Sequence, residues 1–173
     1  TLTGEDFSRD DVVVCTATPQ DGEDDGVAVD SDPLTISNTT PVVSDVEIAP
    51  DPAKADDTLV CSWSYSDEDE DSDSSTVLWT VEGESAGTDT TLSGEFVGGQ
   101  EVICTVTAHD GTDAGESASG SIIITNTVPV LASASLTPEE VYESDTLVCT
   151  PGTTTDIDAT TEFTYSYAWE VDG

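Results

Sequence analysis

Carboxylates carry most of the chemistry this sequence could offer. Asp67-Glu68-Asp69-Glu70-Asp71-Ser72-Asp73 is almost unbroken acid, and Asp110, Asp113 and Glu116 form a second, looser group. So many negative charges at close range repel unless a cation neutralises them. Flexible, oxygen-rich loops suit Ca²⁺, which takes roughly six to eight oxygen ligands. The candidate ligands are Asp67, Asp69, Asp71, Asp73, Asp110 and Asp113. No Asp-x-Asp-x-Asp-Gly run closes on a Glu at its twelfth position, so the pattern is not an EF-hand. The alternative reading is a solvated loop whose charges simply repel. A metal is therefore optional, and no other cofactor is required.

Other chemistries lack their parts. His109 is the single histidine, so no Ser has an imidazole partner for a nucleophilic triad. The four cysteines show no Cys-x-x-Cys spacing, which argues against zinc. Carboxylate pairs can hydrolyse glycosides, but these acids recur in repeated loops rather than around one cleft. No enzyme is expected.

The elements that must position these groups are strands. Apolar residues arrive in short alternating runs, as in Thr58-Leu59-Val60-Cys61-Ser62-Trp63-Ser64-Tyr65 and Glu101-Val102-Ile103-Cys104-Thr105-Val106-Thr107-Ala108. Alternation at period two marks half-buried strands, and no stretch carries a helical period. The fold class is all-β. Strands are expected near 42–49, 58–65, 76–82, 88–96, 101–108 and 118–125, the last two forming a hairpin across Asp110 to Ser117. Leu59, Cys61, Trp63 and Tyr65 share one face. Val77, Trp79 and Val81 share another, and Val102, Cys104, Val106 and Ala108 a third. A sandwich sets such faces against each other.

The sequence also repeats itself. Asn38-Thr39-Thr40-Pro41 returns as Asn126-Thr127-Val128-Pro129, and Asp57-Thr58-Leu59-Val60-Cys61 as Asp145-Thr146-Leu147-Val148-Cys149. Leu78-Trp79-Thr80-Val81-Glu82-Gly83 matches Ala168-Trp169-Glu170-Val171-Asp172-Gly173, which pairs Trp79 with Trp169 as core residues. At the start, Thr1-Leu2-Thr3-Gly4-Glu5 matches Thr91-Leu92-Ser93-Gly94-Glu95, and Val14-Cys15-Thr16 matches Ile103-Cys104-Thr105. Three segments follow: the back half of a repeat (1–37), a complete repeat (38–125) and the front half of another (126–173). Either the polypeptide continues in both directions or neighbouring copies supply the missing strands.

The order Cys61…Trp79…Cys104 resembles that of immunoglobulin-like domains, with a Cys on strand B, a core Trp on strand C and a Cys on strand F. Here an acidic insertion lengthens the first interval, and no Tyr stands two residues before Cys104. The chain most resembles tandem Ig-like (PKD/cadherin-like) repeats of large prokaryotic surface or filament proteins. Those repeats end in a strand like Ile122-Ile123-Ile124-Thr125-Asn126 and restart after a Pro. The resemblance implies a Cys61–Cys104 disulfide inside the complete repeat. It also implies that Cys15 and Cys149, the equivalents of Cys104 and Cys61, bond across copies; four reduced thiols are the alternative. It sets the loops holding Asp67–Asp73 and Asp110–Glu116 at one end of a sandwich. Asp21-Gly22-Glu23-Asp24-Asp25 and Asp156-Ile157-Asp158 are their counterparts in the half repeats.

Net charge restricts partners. Two basic residues against 38 acidic ones leave −36, which excludes nucleic acid as a partner, since phosphate binding depends on Lys and Arg. No apolar run is long enough to span a membrane as a helix. Disulfides imply an oxidising compartment, hence an extracellular or cell-surface location. Heavy charge keeps edge strands from pairing with neighbours, and it also suits a high-salt setting. The sequence therefore reads as a structural subunit or excerpt of an extracellular filament or adhesin, whose partners are neighbouring copies or the continuing chain. The alternative is a calcium-dependent module that binds carbohydrate or a cell-surface partner.

Overall fold

The computed structural model describes residues 1–4, 6–158 and 161–172. Glu5 and Gly173, which the repeat alignment uses, lie outside the described residues. Among those described there is no helix; the chain is all-β and forms several small sheets.

Short strands open the chain: β1 (Val12–Val13), β2 (Thr16–Ala17), β3 (Val29–Asp30) and β4 (Leu34–Thr35). β1 pairs with β4 and β2 with β3, both antiparallel. The middle carries the long strands β5 (Val42–Ala49), β6 (Thr58–Ser66), β7 (Thr76–Val81), β8 (Glu84–Gly87), β9 (Thr91–Ser93), β10 (Glu101–His109) and β11 (Ala114–Ile123). They make a three-stranded sheet, β5-β6-β9, and a four-stranded sheet, β11-β10-β7-β8. The chain closes with β12 (Val130–Leu131), β13 (Ala134–Thr137), β14 (Val148–Pro151) and β15 (Thr154–Thr155). β12 pairs with β15 and β13 with β14, with Leu136 opposite Cys149.

The chain divides into two compact units: Thr1–Val46, Trp63–Val77 and Thr105–Ser119 in one, Glu47–Ser62, Leu78–Cys104 and Gly120–Gly173 in the other. This division cuts across the long strands rather than following the sequence repeats. The second unit holds the larger core, with Ile48, Leu59, Cys61, Trp79, Val81, Leu92, Phe96, Val102, Cys104, Ile122 and Ile124 buried. Pro41, Val43, Val77, Val106 and Ala108 are buried in the first unit. The alternation read from the sequence decides this. On β10 every second residue, from Val102 to Ala108, is buried while those between are more exposed.

Two strand boundaries differ from the sequence reading. The stretch expected as one strand over 88–96 holds only the short β9, and β8, which was not expected, precedes it. Glu82 and Gly83 both adopt positive φ (51° and 85°), the combination a tight two-residue hairpin turn requires. The chain therefore doubles back at once, with Val81 opposite Glu84. β11 begins at Ala114, earlier than the expected 118. The Asp110 carboxylate captures the Thr112 and Asp113 amides at 2.6 and 2.7 Å, which shortens the turn to four residues.

Candidate functional site

Most of the predicted acidic residues lie in the first unit, and the structure sorts them. Oxygens of Asp67, Asp71 and Asp110 all lie within 4.8 Å of one another. The loop after β6 builds its part by folding around Asp67: the Asp67 Oδ1 accepts the Asp69 amide at 2.8 Å and the Asp71 amide at 3.2 Å. Asp110 directly follows β10 and is only 8% exposed. Its Oδ2 accepts the Asn38 side-chain amide at 2.8 Å, and its Oδ1 accepts the turn amides of Thr112 and Asp113. The Asn38 bond, helped by those amides against the cost of burial, holds the Asp110 carboxyl well below the usual range, at about 2.

The other three predicted ligands point elsewhere. Asp69 turns to the Thr39 amide, which donates to its Oδ2 at 2.7 Å. Asp113 accepts the Asn38 side chain at 3.0 Å. Asp73 accepts the Trp63 indole N–H at 2.9 Å and the Ser75 amide at 2.8 Å. Partial burial opposes its charge, yet the hydrogen bonds from Ser75 and Trp63 prevail and lower its pKa.

Arg9 is the residue sequence reasoning missed. Its guanidinium bonds Asp71 and the Asn38 side-chain oxygen, the latter at 2.6 Å. The Asp71 hydrogen bond, opposed by desolvation and aided by the charges of Asp71, Asp10 and Asp69, raises its pKa further. A lone Arg in so acidic a chain was the available signal. An open, mostly polar groove of about 610 Å³ runs beside it, lined by Phe7, Arg9, Ile36, Thr39 and Asp69 among others. Of the three clustered carboxylates, Asp71 is the one that Arg9 holds. Asp67 Oδ2 is buried and has no hydrogen-bond partner among the described residues. A hard divalent cation would satisfy that oxygen, with Asp67, Asp71 and Asp110 as the oxygen donors.

The sulfur positions separate into two kinds. Cys61 on β6 and Cys104 on β10 are bonded, with Cα atoms 6.4 Å apart, and the bridge links the three-stranded to the four-stranded sheet. Both are buried. Cys15 is free and exposed; Cys149 is free and half-buried. The tryptophans divide likewise. Trp79 is 0% exposed and donates its indole N–H to the Asp89 carbonyl at 2.8 Å, whereas Trp169 is 55% exposed. No family model matches the chain, and neither a curated protein nor a solved structure does.

Proposed function

We propose that this chain is a non-catalytic, structural stretch of an extracellular filament or adhesin made of tandem, disulfide-bonded Ig-like repeats. Residues 38–125 form a whole repeat, while 1–37 and 126–173 are halves of its neighbours. One observation carries the reading: the flanking segments expose the positions that the middle segment buries. Leu34, Leu136, Leu147, Trp169 and Val171 are exposed, while their counterparts Ile122, Ile48, Leu59, Trp79 and Val81 are buried. Covering those five side chains would contribute on the order of 10 kcal/mol, so the halves have a strong drive to be completed.

The strand order supports the Ig-like assignment. A three-stranded sheet joined by a disulfide to a four-stranded one, with a buried Trp on the strand next to that of Cys104, is the arrangement of such sandwiches. In the last segment, Leu131, Ala134, Cys149, Pro151, Tyr165 and Tyr167 line a groove of about 190 Å³. It is the half-core that missing strands would fill, and Cys149 within it is positioned for a partner equivalent to Cys104. That partner is Cys15 of a neighbouring copy, or the matching Cys of a continuing chain. The Cys61–Cys104 disulfide supports a location outside the cytoplasm.

Mass of the native material tests this. After denaturation and reduction, a species near 18 kDa means separate subunits that exchange half-domains, and a far larger one means a continuous polypeptide. A native 18 kDa monomer with Cys15 and Cys149 both free refutes completion by either route.

A second reading is favoured by the unsatisfied Asp67 Oδ2 among Asp71 and Asp110. Here Ca²⁺ binds this triad and the assembly recognises carbohydrate or a cell-surface partner. Isothermal titration with Ca²⁺ should give a site that D67N abolishes; no heat, and a melt indifferent to EGTA, rejects the metal.

A further inference from the structure

The chain passes from one repeat into the next twice, at Asn38 and at Asn126, and the same contacts hold both passages. At the first, the Thr39 amide donates to Asp69 Oδ2 at 2.7 Å, and the Asp69 amide donates to Asp67 Oδ1 at 2.8 Å. At the second, the Thr127 amide donates to Asp158 Oδ2, and the Asp158 amide donates to Asp156 Oδ1 at 2.8 Å. Sequence alignment matches the two loops but not their individual residues, because the loops differ in length and composition. The hydrogen bonds superimpose Asp67 on Asp156 and Asp69 on Asp158. Each set lies within a single compact unit.

A third contact comes from the turn upstream of each passage. Asp10 donates its amide to the Ile36 carbonyl at 3.0 Å, and Ile36 donates to the Asp11 carbonyl at 2.9 Å. Gly99 and Ile124 repeat this, with Gly99 to Ile124 at 2.8 Å and Ile124 to Gln100 at 2.9 Å. Asp10 and Gly99 share positive φ (68° and 88°). The residues just before them, Arg9 and Gly98, are therefore equivalent, and both reach the acidic loop of the following repeat. Arg9 does so with its guanidinium on Asp71. Gly98 does so with its backbone, donating to Asp158 Oδ1 at 2.7 Å. A Cβ on Gly98 would lie 2.7 Å from Asp158 Cγ and 2.8 Å from the Asn126 Cα, so this position has no room for a side chain.

We infer that this turn is the docking surface for the next repeat, and that the Asp-x-Asp loop of the next repeat is what docks. Asp69 and Asp158 are joint-forming residues: each clasps the Thr amide of the connecting segment and turns a linker into a fixed joint. The acidity of these loops is then partly structural, because a carboxylate accepts a backbone amide more strongly than a neutral group does. Arg9 reinforces one joint and the bare backbone of Gly98 the other. The inference rests on the tandem-repeat reading.

Amide hydrogen exchange on the whole 173-residue chain, read residue by residue by NMR, tests it. The wild type should protect Thr39 and Thr127. D69A should speed exchange at Thr39 by roughly 10- to 100-fold, the range for losing a bond to a charged acceptor, and leave Thr127 unchanged. D158A should do the reverse, and G98A should act like D158A by displacing its carboxylate. D69N and D158N, which keep an acceptor oxygen, should fall between wild type and the alanine variants. Cys104 and Val106 should exchange slowly in every variant. Fast exchange of Thr39 and Thr127 in the wild type beside a slow Cys104 overturns the joint alone, as does a D69A effect spread evenly over all amides. Fast exchange at Leu59, Trp79 and Cys104 in the wild type overturns the repeat reading itself.

Discussion

Replacing equivalent tryptophans should have unequal consequences. Trp79 is wholly enclosed and its indole N–H satisfies the Asp89 carbonyl at 2.8 Å. Trp79→Ala removes the largest buried side chain, and such truncations cost about 3–5 kcal/mol. Trp79→Phe keeps most of the ring volume but leaves the Asp89 carbonyl without its donor, at a cost of about 1–3 kcal/mol. Trp169, 55% exposed, should tolerate Ala within about 0.5 kcal/mol in the isolated chain. Equilibrium urea unfolding followed by circular dichroism separates these cases. With a slope near 1–1.5 kcal/mol per molar urea, appropriate to a small domain, Trp79→Ala lowers the midpoint by about 2–5 M. Trp169→Ala should leave it unchanged until the chain is assembled, when the two losses should converge. Equal losses at both positions in the isolated chain, or no loss at Trp79, would refute the reasoning.

Reducing Cys61–Cys104, which spans 43 residues, should destabilise the middle segment by about 4 kcal/mol on the chain-entropy account. The C61S/C104S double variant should match that loss in urea and be indifferent to reductant. Asp110 makes stability pH-dependent. Its folded pKa of about 2 lies below its ordinary 3.8, so its contribution is complete above about pH 3.8 and is lost as pH falls toward about 2. Urea midpoints measured down that range should show a decline that D110N flattens; an identical decline in D110N would contradict the assignment.

The fold was legible where side-chain alternation meets a buried face. Leu59 and Cys61, and Val102, Cys104, Val106 and Ala108, are buried as their spacing predicts, because a period of two leaves a strand one way to hide its apolar set. The turn between β7 and β8 was not legible, since Glu82-Gly83 is a weaker turn signal than Asn-Gly or Asp-Gly and its left-handed backbone shows only in φ. In the acidic loop, composition says that carboxylates are near one another, not where each points. Backbone amides decide that: Asp67 and Asp110 are held in a shared cluster, while Asp69 and Asp73 are drawn away by Thr39, Trp63 and Ser75. Arg9 gave little warning, because a single cation has no pattern. Its partners Asn38 and Asp71 lie 29 and 62 residues away in the chain.

The repeat register is tested most directly by peptide mass mapping of the native protein after its free thiols are blocked. The account predicts a Cys61–Cys104 peptide, with Cys15 and Cys149 each joined to a cysteine outside these 173 residues, on a neighbouring copy or further along the same polypeptide. A Cys15–Cys61 or Cys104–Cys149 peptide would contradict it, because each would tie a half repeat to the wrong sandwich.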